Sequence, residues 1–222
     1  MGKLVLYGLL ASPPTRSCCL TLKALDLPYE FITINLMVGE HMLPEYLQKN
    51  PQHTVPLLQD DELYLWDSHA INAYLVRKYG KDDALYPSEL VQRAVVDQRL
   101  HYDTSLMFTD SLRELTKRLL FLNESSVPQS KIDGVAAVYD MVENFLGEND
   151  YVAGSELTIA DFSYVTSIGG LTAYLALDAA KYPAITAWWD RMKQLPYYEQ
   201  ANAEGAAQFE AMVKAKTYTV EP

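Results

Sequence analysis

The chain has 222 residues and a formal net charge of −11, from 29 acidic and 18 basic residues. A chain of this length can bury one large core or two smaller ones. Its acidic excess predicts repulsion from a nucleic-acid backbone and from an anionic membrane surface, so we expect neither as a partner. The only two cysteines, Cys18 and Cys19, are neighbours that are poorly placed for a disulfide with each other, which favours a reducing, cytoplasmic compartment.

The first eighty residues have the pattern of a mixed α/β unit. The short apolar run at 3–7 predicts a strand rather than a signal peptide, and a helix and a second strand at 29–34 complete a βαβ unit. Two further runs, 55–59 and 62–66, flank an acidic turn and predict a hairpin. A helix at 67–80, from an Asp-Ser N-cap to a glycine, follows. The predicted order is βαβ followed by ββα.

Beyond this unit the sequence predicts helices alone. Residues 81–89 have no steady period and contain a proline, so we place an inter-domain linker there, between domains 1–80 and 90–222. The first helical stretch, 90–122, should be long and bent. Later helices are predicted at 130–146, 159–173 and 185–194. The fold class is therefore an α/β N-terminal domain joined to an all-α C-terminal domain.

The strongest helix-start signal is the run Leu157-Thr158-Ile159-Ala160-Asp161-Phe162. Thr158 and Asp161 have the spacing of a capping box, in which each side chain accepts a hydrogen bond from the backbone of the other. Leu157 and Phe162 can pack together across the helix start. We interpret this run as a buried structural element and not as a source of chemistry.

Ser12 lies between the first predicted strand and the first predicted helix. Its hydroxyl should face the positive end of that helix, close to unpaired amides, where an anion is stabilised. Capping of the helix is the alternative role for the same side chain. Because no Gly-x-Ser-x-Gly motif or His-Asp partner accompanies Ser12, we expect a hydrogen-bond donor rather than a nucleophile.

Two other turns offer groups for a small ligand. Asp67-Ser68-His69 opens a helix directly after a strand, so a carboxylate for an amine lies next to a hydroxyl and amides for a carboxylate. An ordinary N-cap is the alternative there. Val55-Pro56 opens the third strand, where proline leaves a gap in the strand's hydrogen bonds and the backbone of Val55 can pair with another molecule.

The histidines do not indicate a metal site. His41, His53 and His69 match no zinc spacing, and no cysteine joins them, so we expect imidazoles that face a carboxylate-bearing ligand. The helical part carries more apolar residues than one internal stripe needs. Such a set defines either a hydrophobic substrate pocket or ordinary core packing.

In this order, these elements resemble the cytosolic glutathione transferase family, and in detail its insect epsilon class, with the delta class as nearest relative. The resemblance covers essentially the whole chain. Four segments carry it: Ala11-Ser12-Pro13-Pro14-Thr15-Arg16, Asn50-Pro51-Gln52-His53-Thr54-Val55-Pro56-Leu57-Leu58, Asp67-Ser68-His69-Ala70-Ile71 and Thr158-Ile159-Ala160-Asp161-Phe162.

The family implies a thioredoxin-like first domain, a helical second domain, a homodimer, and glutathione as co-substrate with no metal. By the resemblance, Ser12 donates to the glutathione sulfur and cis-Pro56 presents Val55 to the tripeptide backbone. Asp67, shorter than the Glu of many relatives, and Ser68 hold the γ-glutamyl end. The resemblance assigns to glutathione binding His41, His53, Thr54, Val55, Pro56, Asp67, Ser68, His69 and Arg113, and to the electrophile pocket Phe108, Leu112, Leu115, Leu119 and Phe209.

The implied activity is conjugation of the glutathione thiolate to small hydrophobic electrophiles in detoxification, with peroxidase or dehydrohalogenase side activity. One alternative is a carrier of apolar compounds on the same fold without turnover. A thiol oxidoreductase is a second alternative. It fits less well because Ser12 stands where such relatives have cysteine, and because Cys18-Cys19 lacks the C-x-x-C spacing.

Overall fold

The computed structural model describes residues 2–222, and their first part is a four-stranded sheet with helices. The sheet order is β2-β1-β3-β4, with β1 parallel to β2 and antiparallel to β3. The prediction of βαβ followed by ββα is confirmed. The elements are β1 (Leu4–Gly8), α1 (Pro13–Ala24), β2 (Tyr29–Thr33), two 3-10 turns (Leu36–Val38 and Glu40–Met42), α2 (Pro44–Leu47), β3 (Leu57–Asp60), β4 (Leu63–Trp66) and α3 (Ser68–Tyr79).

The second part is helical, as predicted. Residues 80–89 contain no helix or strand, and the long helical stretch, residues 90–121, follows them. The exact domain boundaries at 80 and 90 stay predictions. The stretch consists of α4 (Leu90–Tyr102), π-type turns (Asp103–Arg113), α5 (Glu114–Thr116) and further π-type turns (Lys117–Phe121); after it come α6 (Gln129–Leu146), α7 (Ile159–Leu171), α8 (Pro183–Lys193), π-type turns (Glu199–Ala203) and α9 (Glu204–Lys214).

One small pair of strands in the helical part was not predicted. β5 (Ser126–Pro128) pairs in parallel with β6 (Thr219–Glu221). The pairing continues outward, because the amide of Thr219 donates to the carbonyl of Ser125 at 3.0 Å. This contact ties the end of the chain to the loop that follows the long helical stretch.

Helix α7 lies at the centre of the helical part. Twelve of its thirteen residues are buried, so the helix is buried on all sides rather than along one stripe. It packs against α1 of the first part and against the long helical stretch. Within residues 2–222, no helix is both long enough and apolar enough to cross a membrane.

The predicted capping box forms at the start of α7 and extends further than the sequence indicated. Asp161 Oδ2 accepts from the Thr158 amide at 2.9 Å, while Asp161 Oδ1 accepts from the Val152 amide and from Trp188 Nε1, both at 2.9 Å. Burial raises the pKa of the Asp161 carboxyl to about 6, against the hydrogen bonds that favour its ionised form. One carboxylate therefore joins a loop, a helix start and a buried tryptophan.

Asp161→Ala should lower the free energy of unfolding by about 3–5 kcal/mol, since it leaves several buried donors without an acceptor. Asp161→Asn should cost less, because its amide oxygen still accepts. Urea unfolding measures both, with Asp133→Ala on the exposed face of α6 as the control. A loss below about 1 kcal/mol for Asp161→Ala would show that the site relaxes around the missing carboxylate.

Candidate active site

A cavity with a volume of about 460 Å³ lies between the α/β part and the helical part. Its walls are the turn before α1, the loop before β3, the start of α3 and the inner side of the long helical stretch. Phe209 and Met212 of α9 close one end. The cavity therefore brings together segments that are far apart in sequence, and its helical side adds apolar residues such as Phe108, Leu112 and Phe209 to polar ones.

Ser12 stands at the N-cap position of α1 and lines the cavity. Its backbone amide donates to Leu9 O at 2.8 Å, which fixes the turn, but its hydroxyl makes no capping hydrogen bond. Pro13 and Pro14 occupy the first helical positions and have no N–H to offer. The capping role that the sequence left open is therefore not the one adopted, and the hydroxyl stays available at the cavity wall.

The turn that carries Ser12 is held by a buried guanidinium. Arg16 is 0% exposed, its Nε donates to Asn202 Oδ1 at 2.8 Å, and one terminal nitrogen donates to Ala11 O at 2.8 Å and Leu10 O at 3.1 Å. Burial lowers its pKa to about 10, so it stays charged at neutral pH. Arg16 therefore fixes the two residues before Ser12 against the helical part.

The loop before β3 contains the predicted cis bond, between Val55 and Pro56. The carbonyl of Thr54 accepts from Tyr46 Oη at 2.6 Å and from Asn50 Nδ2 at 2.8 Å. Among residues 2–222, no backbone partner is bonded to the amide or carbonyl of Val55. The loop is thus fixed through the Thr54 carbonyl, while the backbone amide and carbonyl of Val55 remain available at the cavity wall, like those of an edge strand.

At the start of α3, the side chains differ in how much of their hydrogen-bonding capacity is already used within the protein. Asp67 Oδ1 accepts from the amides of His69 and Ala70 at 3.0 and 3.2 Å, so one carboxylate oxygen serves the helix start. His69 Nε2 pairs with Asp103 Oδ2 at 2.9 Å, and its Nδ1 lies 3.0 Å from Thr104 Oγ1. Both ring nitrogens of His69 are therefore engaged within the protein.

The His69 to Asp103 pair joins the two parts of the chain at the cavity floor. Only 14% of the His69 side chain and 6% of the Asp103 side chain are exposed. Burial opposes protonation, but the hydrogen bond and charge of Asp103 raise the pKa of His69 above its ordinary value. The pair is a fixed contact between the two parts of the chain, and it gives a buried carboxylate at the cavity a hydrogen-bond partner.

His41 and His53 lie side by side, with ring centroids 6.3 Å apart, and both line the cavity. His41 Nδ1 is buried and has no hydrogen-bond partner among the described residues. Burial and the neighbouring His53 lower the pKa of His41. Within residues 2–222, no group of three or more His, Cys, Asp or Glu side chains could hold a metal.

The helical wall of the cavity consists of two parallel rows on the long helical stretch. The inner row is Phe108, Leu112, Thr116 and Leu120, and the outer row is Thr109, Arg113, Lys117 and Phe121. Leu115 and Leu119 are 0% exposed and lie in the core instead. The prediction that these two leucines line the pocket is therefore wrong. The residues that face the cavity recur in adjacent pairs, four positions apart, and the two leucines lie between those pairs on the buried side.

Comparison with known proteins identifies this architecture. The family model described as "Glutathione S-transferase, N-terminal domain" matches residues 6–83, and the model described as "Glutathione S-transferase, C-terminal domain" matches residues 95–196. The chain belongs to the glutathione S-transferase family. The predicted family, fold class and enzyme activity, transfer to glutathione, are thereby confirmed.

Individual relatives indicate the epsilon class within this family. The chain is 43% identical over 204 residues to glutathione S-transferase 1 of Manduca sexta, covering 91% of this chain and 93% of that one. A Drosophila mojavensis glutathione transferase homologue with bound glutathione has 54% identity and a TM-score of 0.97, covering 99% and 100%. A housefly, Musca domestica, epsilon-class structure has 53% identity and a TM-score of 0.96, covering 98% and 100%.

In this transferase, most residues that the sequence singled out meet at one cavity. The members of the predicted site that line it are Ser12, His41, His53, Thr54, Val55, Pro56, Asp67, Ser68, His69, Phe108, Leu112, Arg113 and Phe209. Sequence reasoning missed Lys117 and the pairing of His69 with Asp103. Four-residue spacing from Arg113 is the signal that could have indicated Lys117.

Arg16→Met should lower the free energy of unfolding of this transferase by about 3 kcal/mol or more. The change removes the donor from the carbonyls of Leu10 and Ala11 and from Asn202, with little change in volume. Arg77→Met, which removes an exposed arginine on α3, is the matched control. Chemical unfolding of both variants tests this, and equal stabilities would mean that the buried guanidinium contributes no net stability.

Proposed function

We propose that the Ser12 hydroxyl donates a hydrogen bond to the glutathione sulfur and stabilises its thiolate for attack on a small hydrophobic electrophile. The observation that carries this proposal is the state of Ser12: it lines the cavity at a helix N-terminus, and its hydroxyl is not used for capping. The prolines at the first two helical positions remove competing amide donors. A hydroxyl is then the main group that can meet a sulfur anion there.

Magnitudes support this mechanism. A thiol with a pKa near 8.5 is a few per cent ionised at neutral pH, and lowering the pKa by about two units requires roughly 2.7 kcal/mol. A hydrogen bond to a charged group contributes about 1.5–3 kcal/mol, and the α1 dipole about 0.3–1 kcal/mol. Because these two contributions suffice, no general base is needed. Holding both reactants in one cavity supplies the remaining advantage.

The rest of the polar wall suits the tripeptide. We propose that the free backbone of Val55 pairs with the cysteinyl part of glutathione, and that Ser68 and the second carboxylate oxygen of Asp67 hold the γ-glutamyl end. His41 and His53 would face the glycyl carboxylate, where the unpartnered Nδ1 of His41 gains an acceptor. The relative with bound glutathione supports this use of the cavity.

The apolar wall suits the second substrate. Phe108, Leu112 and Phe209 favour small hydrophobic electrophiles, which is consistent with a role in detoxification. We further propose a cytoplasmic homodimer, on the basis of the family. Peroxidase and dehydrohalogenase side activities stay predictions. The carrier alternative is less favoured, since a carrier has no use for an uncapped hydroxyl at the helix end.

Ser12→Ala should bind glutathione but lose most of its conjugation rate, because the bound thiol's pKa should rise by about one to two units without the donor. Ultraviolet absorbance of the thiolate across a pH titration measures that pKa, and turnover of a generic aryl halide measures the rate. Ser105→Ala, an exposed hydroxyl outside the cavity, is the control. An unchanged thiol pKa in Ser12→Ala would remove Ser12 from this role.

Binding of S-methylglutathione, which has no ionisable thiol, should tighten as pH falls from 8 to 6. In the free protein the pKa of His41 is depressed, and a carboxylate beside the ring should raise it, so the complex binds more protons than its parts. A one-unit rise changes Kd by up to about tenfold across this range.

Calorimetric titration at several pH values compares the native protein with His41→Asn and with His101→Asn, whose ring is exposed on α4. His41→Asn should flatten the pH dependence, and His101→Asn should keep it. If the native protein and His41→Asn showed equal slopes, proton uptake at His41 would not be coupled to binding.

A further inference from the structure

The outer row of the cavity wall carries two cations without partners. Arg113 and Lys117 lie four residues apart on the long helical stretch, and both line the cavity. Within residues 2–222, neither makes a hydrogen bond or an ion pair to another side chain. In a chain with 29 acidic and 18 basic residues, two adjacent free cations at a cavity mouth are an exception that needs a reason.

The nearby acidic residues are already paired elsewhere. Glu114 accepts from Arg118 Nε at 2.9 Å, and Glu124 accepts from another nitrogen of Arg118 at 2.7 Å. Asp110 pairs with Lys131 at 2.9 Å. These three acids on and beside the helical stretch are therefore paired outside the cavity, and the charge of Lys117 is left for whatever enters.

The cavity itself contains little negative charge to meet these cations. Its lining acids are Asp67 and Asp103. Asp103 is paired with His69, and one carboxylate oxygen of Asp67 accepts hydrogen bonds from amides at the start of α3. The potential at the outer row should thus be positive, although the protein as a whole is acidic.

Apolar groups adjoin these cations. Lys117 precedes Phe121, which is 45% exposed, by one turn in the outer row. Leu120 of the inner row, which is buried, is also one turn away. A molecule seated against this wall meets an apolar surface along its length and an ammonium group at its end. That combination fits an amphipathic anion better than a fully apolar compound.

We infer that Lys117, supported by the charge of Arg113, is a specificity-determining residue that favours electrophiles with an apolar body and a carboxylate remote from the reacting carbon. The inference rests on the proposed function, because it concerns the second substrate of the same cavity. The carboxylate takes no part in the bond changes. The glutathione sulfur forms a bond to the electrophilic carbon, the leaving group departs with its electron pair, and the thiol proton passes to solvent.

A pair of aryl chlorides tests the inference, namely 4-chloro-3,5-dinitrobenzoate and its methyl ester. In both, the carbon–sulfur bond forms as chloride leaves, and the two differ in charge at the far end of the ring. The measured quantity is the ratio of kcat/KM for the carboxylate to that for the ester, at saturating glutathione, in the native protein, Lys117→Gln, Lys117→Arg and Lys214→Gln. Lys214 is exposed on α9, outside the cavity, so it controls for net charge.

Lys117→Gln should lower this ratio by roughly two- to fivefold, as expected for an exposed ion contact, and added salt should shrink the native ratio toward the variant's. Lys117→Arg should restore the ratio, and Lys214→Gln should leave it at the native value. An equal ratio in Lys117→Gln and Lys214→Gln would overturn the inference. So would a rise in the KM for glutathione in Lys117→Gln without a change in ratio, since the lysine would then serve glutathione.

The same assay separates this inference from the proposed function. If the native protein converts the ester and Ser12→Ala does not, while the Lys117 variants keep the native ratio, the specificity inference alone fails. If the native protein converts neither chloride at any glutathione concentration, the proposed second-substrate chemistry fails, and the inference fails with it.

Discussion

The packing of α1 between the sheet and α7 is the constraint on which the site depends. This seam is polar rather than apolar: Ser17 Oγ lies 3.2 Å from Ser163 Oγ and accepts from Asn72 Nδ2 at 2.8 Å, while Arg16 reaches Asn202. Buried polar contacts of this kind fix one relative position, because any sliding leaves donors unpaired. Because the turn before α1 is attached to this helix, its position is fixed as well. The Ser12 hydroxyl therefore has a fixed position relative to both walls of the cavity.

Fixing the turn in this way leaves the N-cap hydroxyl of α1 outside ordinary capping. Most helix starts satisfy their amides with the N-cap side chain. Here Pro13 and Pro14 have no amide hydrogens, so fewer amides need a cap, and the hydroxyl of Ser12 makes no capping hydrogen bond. The contrast with α7 is instructive, since Thr158 and Asp161 use their side chains fully in a capping box and leave nothing for a ligand.

Local patterns made the fold and the polar half of the site predictable. Alternation, proline positions and capping signals are properties of neighbouring residues, and they placed the four strands of the main sheet and most helices to within a few residues. Helix α9 (Glu204–Lys214) was not predicted. The β5 to β6 pair was missed because three-residue strands more than ninety residues apart leave no period to detect. The His69 to Asp103 pair was missed for the same reason: it spans the two parts of the chain. Leu115 and Leu119 were misplaced because they lie on the buried side of the same helical stretch, and their apolar character alone does not distinguish that side from the cavity wall.

The two walls of the cavity are built in physically different ways, so they differ in how well they tolerate substitutions. The polar wall consists of turns whose backbone is held from behind, by Tyr46 and Asn50 at one turn and by Arg16 at another. A substitution there would disturb the geometry of the polar wall. The apolar wall is one helical surface whose opposite side, with Leu115 and Leu119, is buried. Residues of the outer row, such as Lys117, can therefore vary without loss of that packing. Under the proposed function, selectivity for the second substrate can then change while the polar wall is kept.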